Sequence, residues 1–204
     1  KTYGAAVHGI DATIVTIEVN VSQGIQFFLV GLPDNAVKES HKRIISALQH
    51  NNLKIPRMQV VINMAPADIR KEGSAYDLPL AIGIMGANAT IKADEIDKYV
   101  IMGELSLDGS LKPIKGVLPI AIKARKEGFK GFILPKENSR EAAVVDDLEI
   151  YGVENIQQVV DFFNGDVTLE PTIVNTREEF FSNTDHFLVD FADVKGQESV
   201  KRAL

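Results

Sequence analysis

The chain has 204 residues, 45% hydrophobic and 25% charged, which is the balance of a soluble globular protein with room for one large domain and a piece of another. The absence of cysteine excludes disulfides, thiolate metal sites and a cysteine nucleophile, and a net charge of −6 gives no chain-wide electrostatic footprint for nucleic acid. No apolar run reaches the roughly 18–20 residues that span a bilayer, so no membrane partner and a cytoplasmic location are expected.

The start, KTYGAAVHGIDATI, lacks the basic, apolar and small-residue order of a signal peptide, and it lacks an initiator Met, so residues are expected ahead of it. TIVTIEVNV (13–21) alternates apolar and polar residues, and IQFFLVGL (25–32) follows Ser-Gln-Gly; together they predict a hairpin of one half-buried and one more buried strand. PDNAVKESHKRIISALQHN predicts a helix capped by Asp34 or Asn35, with Val37, Ile44, Ile45 and Leu48 on one face. Lys42 and Arg43 are expected on its solvated face. His41 and His50, like His8 and His186, have no metal-ligand spacing and are expected as surface groups.

MQVVINM (58–64) is an expected strand, and YDLPLAIGIMGAN a buried helix with Pro79 in its first turn, where the missing N–H costs little. YVIMGELSLDGSLKPI predicts strand, Asp-Gly turn and short strand. GVLPIAIKARKEGF predicts a helix with Leu118, Ala121, Ile122 and Arg125 in register, ended by Gly128. KGFILP, KENSREAAVV, LEIYGV and NIQQVVDFFNG continue as strand, helix, strand and helix up to Gly165. This alternation implies an α/β domain with a mixed sheet over residues 1–165. Residues 166–188 have little period and are expected to be a linker. Residues 189–204 open a new element that stops in mid-helix, so more chain is expected to follow.

Three segments together carry a resemblance: GLPDNAVKESHKRIISAL, NMAPADIRKEGSAYDLPLAIGIM and GELSLDGSLKPIKGVLPIAIKAR. They resemble the amino-terminal domain of Mg-chelatase-like AAA+ ATPases of the ComM/YifB type, and DFADVKGQESVKRAL is similar to the start of their ATPase module. The run from GELSLDGSLKPIKGVL to GFKGFILPKENSRE is also similar to the proteolytic domain of Lon. The resemblance implies the Lon-protease-like (ribosomal-protein-like) α/β fold for 1–165 and a truncated AAA+ start at 189–204. It further implies an ATP-driven DNA motor in the whole protein, associated with branch migration and competence. Such motors are ring-forming homo-oligomers, with a hexamer expected here. ATP and Mg²⁺ are expected in the downstream module, because no Gly-Lys-Ser/Thr loop occurs in this chain.

Lon proteases cut peptides with a serine and a lysine, the lysine removing the hydroxyl proton. Their serine lies in a Lys-Asp-Gly-Pro-Ser-Ala-Gly turn. The matching run here is Lys71-Glu72-Gly73-Ser74-Ala75-Tyr76-Asp77, which puts Ala75 on the nucleophile. The catalytic lysine follows a Gly-Leu pair, and Gly116-Val117-Leu118 puts Leu118 there. The resemblance thus implies an accessory domain without catalytic residues. The rival readings are a Ser-Lys peptidase, with Lys115 or Lys123 swinging in, and a Mg²⁺ chelatase subunit. Ser74 is expected to cap the helix that follows, with Asp77 adding a favourable charge at its start. Lys71, Glu72, Ser74 and Asp77 are the candidate capping or interface residues. Asp77 and Glu104 are a further candidate as a pair of acids.

Overall fold

The computed structural model describes residues 1–54 and 58–175. The chain divides into a compact unit, Lys1–Ile173, and a second unit from Val174 of which only residues 174–175 are described. Residues 176–188 of the linker expected over 166–188, and the ATPase start expected at 189–204, therefore lie outside the described residues.

The first unit is mixed α/β. Its strands are β1 (Thr2–His8), β2 (Asp11–Ser22), β3 (Phe27–Val30), β4 (Gln59–Ala65), β5 (Tyr99–Ile101), β6 (Glu104–Leu105), β7 (Leu111–Lys112), β8 (Gly131–Pro135) and β9 (Glu149–Val153). Its helices are α1 (Asn35–His50), α2 (Asp77–Ala87), α3 (Val117–Lys126), α4 (Lys136–Ala142) and α5 (Ile156–Asn164). Seven strands form one sheet in the order β3-β4-β2-β1-β5-β8-β9, and β6 and β7 form a separate hairpin. The pairs on both sides of β2 are antiparallel, and the other four in the main sheet are parallel.

The expected hairpin between residues 13–21 and 25–32 does not form. β4 takes the place beside β2, and β3 pairs parallel with β4 at the rim of the sheet. The true hairpin is β1–β2, closed by Gly9-Ile10 with Gly9 at φ +62°. As the outermost strand, β3 is half exposed rather than buried, and Phe28 and Val30 face solvent.

Alternation along β2 puts Val19 on one face and Ile14 and Thr16 on the other. A Cβ on Gly83 of α2 would meet Val19 at 2.9 Å, whereas Lys123 and Glu127 at the end of α3 border Ile14 and Thr16 in a shared surface cavity. The two helices therefore cover opposite faces. α2 is apolar all round and buried from Asp77 to Met85, each large aliphatic contributing about 1.5–3 kcal/mol. On α3 the buried residues are Val117, Ile120, Ala121 and Ala124. This i, i+3, i+4, i+7 stripe displaces the expected one, and Leu118 and Ile122 point outward.

Asp34 caps α1, its Oδ1 accepting from the Val37 N–H at 2.8 Å, and Val37, Ile44 and Leu48 are buried as expected. His41 differs from expectation: its ring stacks on Phe27 with centroids 4.0 Å apart, and burial lowers its pKa. Asp108-Gly109 makes the expected turn between β6 and β7, the Gly109 N–H donating to the Ser106 carbonyl. The unit runs past Gly165: Leu169 packs on the core, and the Thr172 N–H donates to the Ile150 carbonyl at 2.7 Å. The first residues of the expected linker are thus part of the domain. Among the described residues no helix is long and apolar enough to cross a membrane.

Candidate functional site

The run 71–77 joins the end of β4 to α2, and nearly every polar group in it has a partner on another element. The Lys71 side chain is fully buried, and its Nζ donates to the carbonyls of Gly31, at 2.8 Å, and of Pro66. Its backbone is held on both sides, N–H to the Leu32 carbonyl and carbonyl from the Asp34 N–H. Gly31 allows this approach, because at φ +100° a Cβ would lie 2.0 Å from the Met64 carbonyl oxygen. Burial lowers the pKa of Lys71, with Asp68 opposing.

Glu72 is exposed and pairs with Arg70 at 3.1 Å. Gly73, at φ +81°, donates its N–H to Oδ2 of Asp34 at 3.1 Å, so one carboxylate both caps α1 and holds the turn. Ser74 does not cap α2. A 3-10 turn, Ser74–Tyr76, leads directly into the helix, and Tyr76 at the cap position has helical backbone angles (φ −83°, ψ −6°). A capping side chain needs an extended backbone at that point, and none is present. The Ser74 hydroxyl donates instead to Oε2 of Glu104.

Asp77 is in the first turn of α2, as expected, but it is fully buried rather than at a solvated helix end. Its two oxygens accept from Arg43 Nε at 2.7 Å and Nη2 at 2.9 Å, and Oδ2 also accepts from the Leu105 N–H at 3.2 Å. Burial raises the pKa of Asp77; Arg43 and the Leu105 N–H oppose this, and Glu104 adds to it. The hydrogen bond to Asp77 raises the pKa of Arg43. Lys42 is exposed as expected, but Arg43 is drawn inward by this pair and is not part of a solvated face. Asp77 and Glu104 are not a free pair of acids, since Arg43 holds the first and Ser74 the second.

Ala75 and Leu118, the two positions expected to match the protease residues, have separate surroundings. Ala75 lines a cleft of about 300 Å³ and accepts the Gly103 N–H on its carbonyl at 2.8 Å. Ala5, Val7, Tyr76, Met102 and Ile120 form most of the apolar floor. His8, Arg70, Glu72 and Lys115 stand around it. Leu118 is on the outer side of α3 and Ser74 faces Glu104, so neither lines this cleft. Of the lysines that a peptidase would need, Lys115 borders the cleft, and Lys123 pairs with Glu127 at 2.7 Å. Among the described residues no group of three or more His, Cys, Asp or Glu could hold a metal ion.

Sequence reasoning missed the Arg43–Asp77 pair, the double role of Asp34 and the burial of Lys71. Partners 34 and 39 residues apart leave no local pattern. The proximity of Arg70 and Lys115 to Ala75 was likewise not visible in any single segment.

A family model described as subunit ChlI of Mg-chelatase matches residues 17–138. Competence protein ComM of Haemophilus influenzae is 38% identical over 203 residues, covering 99% of this chain and 40% of that protein. The uncharacterized protein YifB of Escherichia coli is 36% identical over 200 residues, covering 96% of this chain and 38% of that protein. Lon protease 2 of Bacillus subtilis is 34% identical over 126 residues, 61% of this chain and 22% of that enzyme. The chain spans 40% of the length of ComM and 38% of YifB. With a family model matching more than half of its residues, the chain belongs to the Mg-chelatase-like ChlI family, alongside ComM and YifB.

Proposed function

We propose that the 1–173 unit is a non-catalytic accessory domain, of Lon-protease-like fold, in a longer Mg-chelatase-like AAA+ ATPase. The whole protein is read as an ATP-driven DNA motor that works as a homo-oligomeric ring, a hexamer, in the cytoplasm. One observation supports the non-catalytic part: the only serine of the 71–77 run is bonded to the Glu104 carboxylate and does not line the cleft, whereas Lys115 and Ala75 do. A Ser-Lys mechanism needs the hydroxyl and the amine within hydrogen-bond reach of each other. The motor part is supported by the name of the relative ComM, a competence protein, and by the share of the relatives' length outside this chain. ATP and Mg²⁺ belong to that downstream part; nothing in residues 1–175 fits a phosphate loop, so no step of ATP hydrolysis is assigned to this unit.

The test compares the full-length protein with a version lacking residues 1–173. ATPase activity should survive the deletion, while DNA affinity, ring assembly or the coupling of hydrolysis to DNA should change. Loss of all ATP hydrolysis from an assembled ring would give the domain a catalytic part. Labelling of Ser74 by a fluorophosphonate probe, with peptide cleavage, would establish the peptidase instead.

A further inference from the structure

The cleft beside Ala75 is a cavity of about 300 Å³, the lower end of the size range for sites that take small ligands. Three of its lining residues, Ala5, Ala6 and Ala75, are small. Its charged groups are unbalanced. Arg70 and Glu72 neutralise one another at 3.1 Å, but no hydrogen bond or ion pair engages the side chain of His8 or of Lys115 among the described residues. The remainder of the wall is apolar. An apolar floor selects for a hydrocarbon or aromatic body, and an unpaired ammonium at the rim selects for an anion.

We infer that this cleft binds a carboxylate attached to a short apolar body, with the carboxylate at Lys115 and the body on the floor around Ala75 and Ile120. A peptide carboxyl terminus with an aliphatic last residue has this chemistry, and so does a free acylated amino acid. The volume accepts one such residue and not a longer side-chain cluster. This inference does not depend on the motor reading, since it concerns equilibrium binding to the 1–173 unit and holds or fails whatever the whole protein does to DNA.

Binding is measured on the 204-residue chain by amide chemical-shift titration, with N-acetyl-leucine, N-acetyl-leucinamide and a hexapeptide ending in leucine as probes. The acid should bind with a dissociation constant of about 1 mM or tighter, shifting the amides of Ala75, Met102 and Ile120, and the amide should bind at least tenfold more weakly. Lys115→Ala, on an exposed side chain, should weaken the acid roughly tenfold without changing the fold, and Lys115→Glu should abolish binding. Lys42→Ala, an exposed lysine elsewhere, should change nothing. Tighter binding of the hexapeptide than of N-acetyl-leucine identifies a peptide terminus as the ligand source; equal affinity identifies the free acid. Equal binding of acid and amide, an undiminished affinity in Lys115→Ala, or no shifts at all with any probe would overturn the assignment.

Discussion

The 71–77 turn and the cleft next to it share Glu72, Ala75 and Tyr76, but they differ in how their polar groups are spent. In the turn, Lys71, Gly73, Ser74, Tyr76 and Asp77 reach four other elements between them: the loop after β3, the start of α1, β6, β1 and, for Asp77, α1 again. In the cleft, the Lys115 ammonium at the rim has no hydrogen-bond or ion-pair partner among the described residues. Groups that satisfy one another inside a fold hold its parts in register. Groups left unsatisfied around a cavity are free to meet something else. The contrast separates architecture from a candidate site within a few residues.

The largest expected effect is at the Arg43–Asp77 pair. Asp77→Ala leaves Arg43 without its partner between α1 and α2, and the loss of stability should be about 3–5 kcal/mol. Chemical denaturation measures it; a loss below about 1 kcal/mol would place the pair with ordinary surface bridges and dissolve the contrast.

Lys71→Met comes next. It keeps the side-chain volume but leaves the carbonyls of Gly31 and Pro66 without a donor, at a cost of about 2 kcal/mol near neutral pH. The cost should depend on pH. Burial lowers the folded-state pKa of Lys71, so between that lowered value and the ordinary 10.5 the unfolded chain holds more protons than the folded one. Stability from this group therefore rises with pH across that window, and the deficit of Lys71→Met should widen. Melts of both proteins from neutral pH to about 10 read the difference directly, because every other titrating group is common to the two. A deficit that shrinks as pH rises would contradict the burial of a charged lysine.

Ser74→Ala should cost about 1.5 kcal/mol through the lost hydrogen bond to the Glu104 carboxylate. Glu104→Gln tests the partner: the double variant should lose less than the sum of the single ones, since one bond joins them. Full additivity would separate the two residues.

Lys115→Ala marks the other side of the comparison, with a stability change within about 0.5 kcal/mol. A large loss would show that the rim of the cleft is as structural as the turn.

Much of the fold could be read in the sequence, for identifiable reasons. α1, α2, β4, β8, β9 and α5 have long or strongly apolar signatures, and their caps, Asp34, Asn155 and Gly165, have the chemistry that helix ends require. β1 was missed because Gly4, Ala5 and Ala6 have little strand propensity. Gly4 is small for a tertiary reason: a Cβ there would meet Met102 at 3.0 Å and the Tyr76 ring at 3.4 Å. The order of β3 and β4 was hidden too, because adjacency in a sheet depends on strands far apart in sequence. For the site, Ser74 and Asp77 stood out locally, yet what they do depends on Glu104 and Arg43, each about thirty residues away. The correct reading of α3, with Leu118 outward, needed only the cleaner stripe of Val117, Ile120, Ala121 and Ala124.

The contact from Thr172 to Ile150 has a practical side. β9 is the last strand of the sheet, and residues 166–173 supply a backbone donor to it and an apolar side chain, Leu169, to the core. A protein ended at Gly165 would leave β9, like β3 among the described residues, as a rim strand without an outer neighbour, and a sheet with two uncovered rims can grow in both directions. Ending at Ile173 keeps one side closed. Light scattering of the two truncations at matched concentration should show the shorter one assembling into chains, and the longer one halting at pairs or staying single.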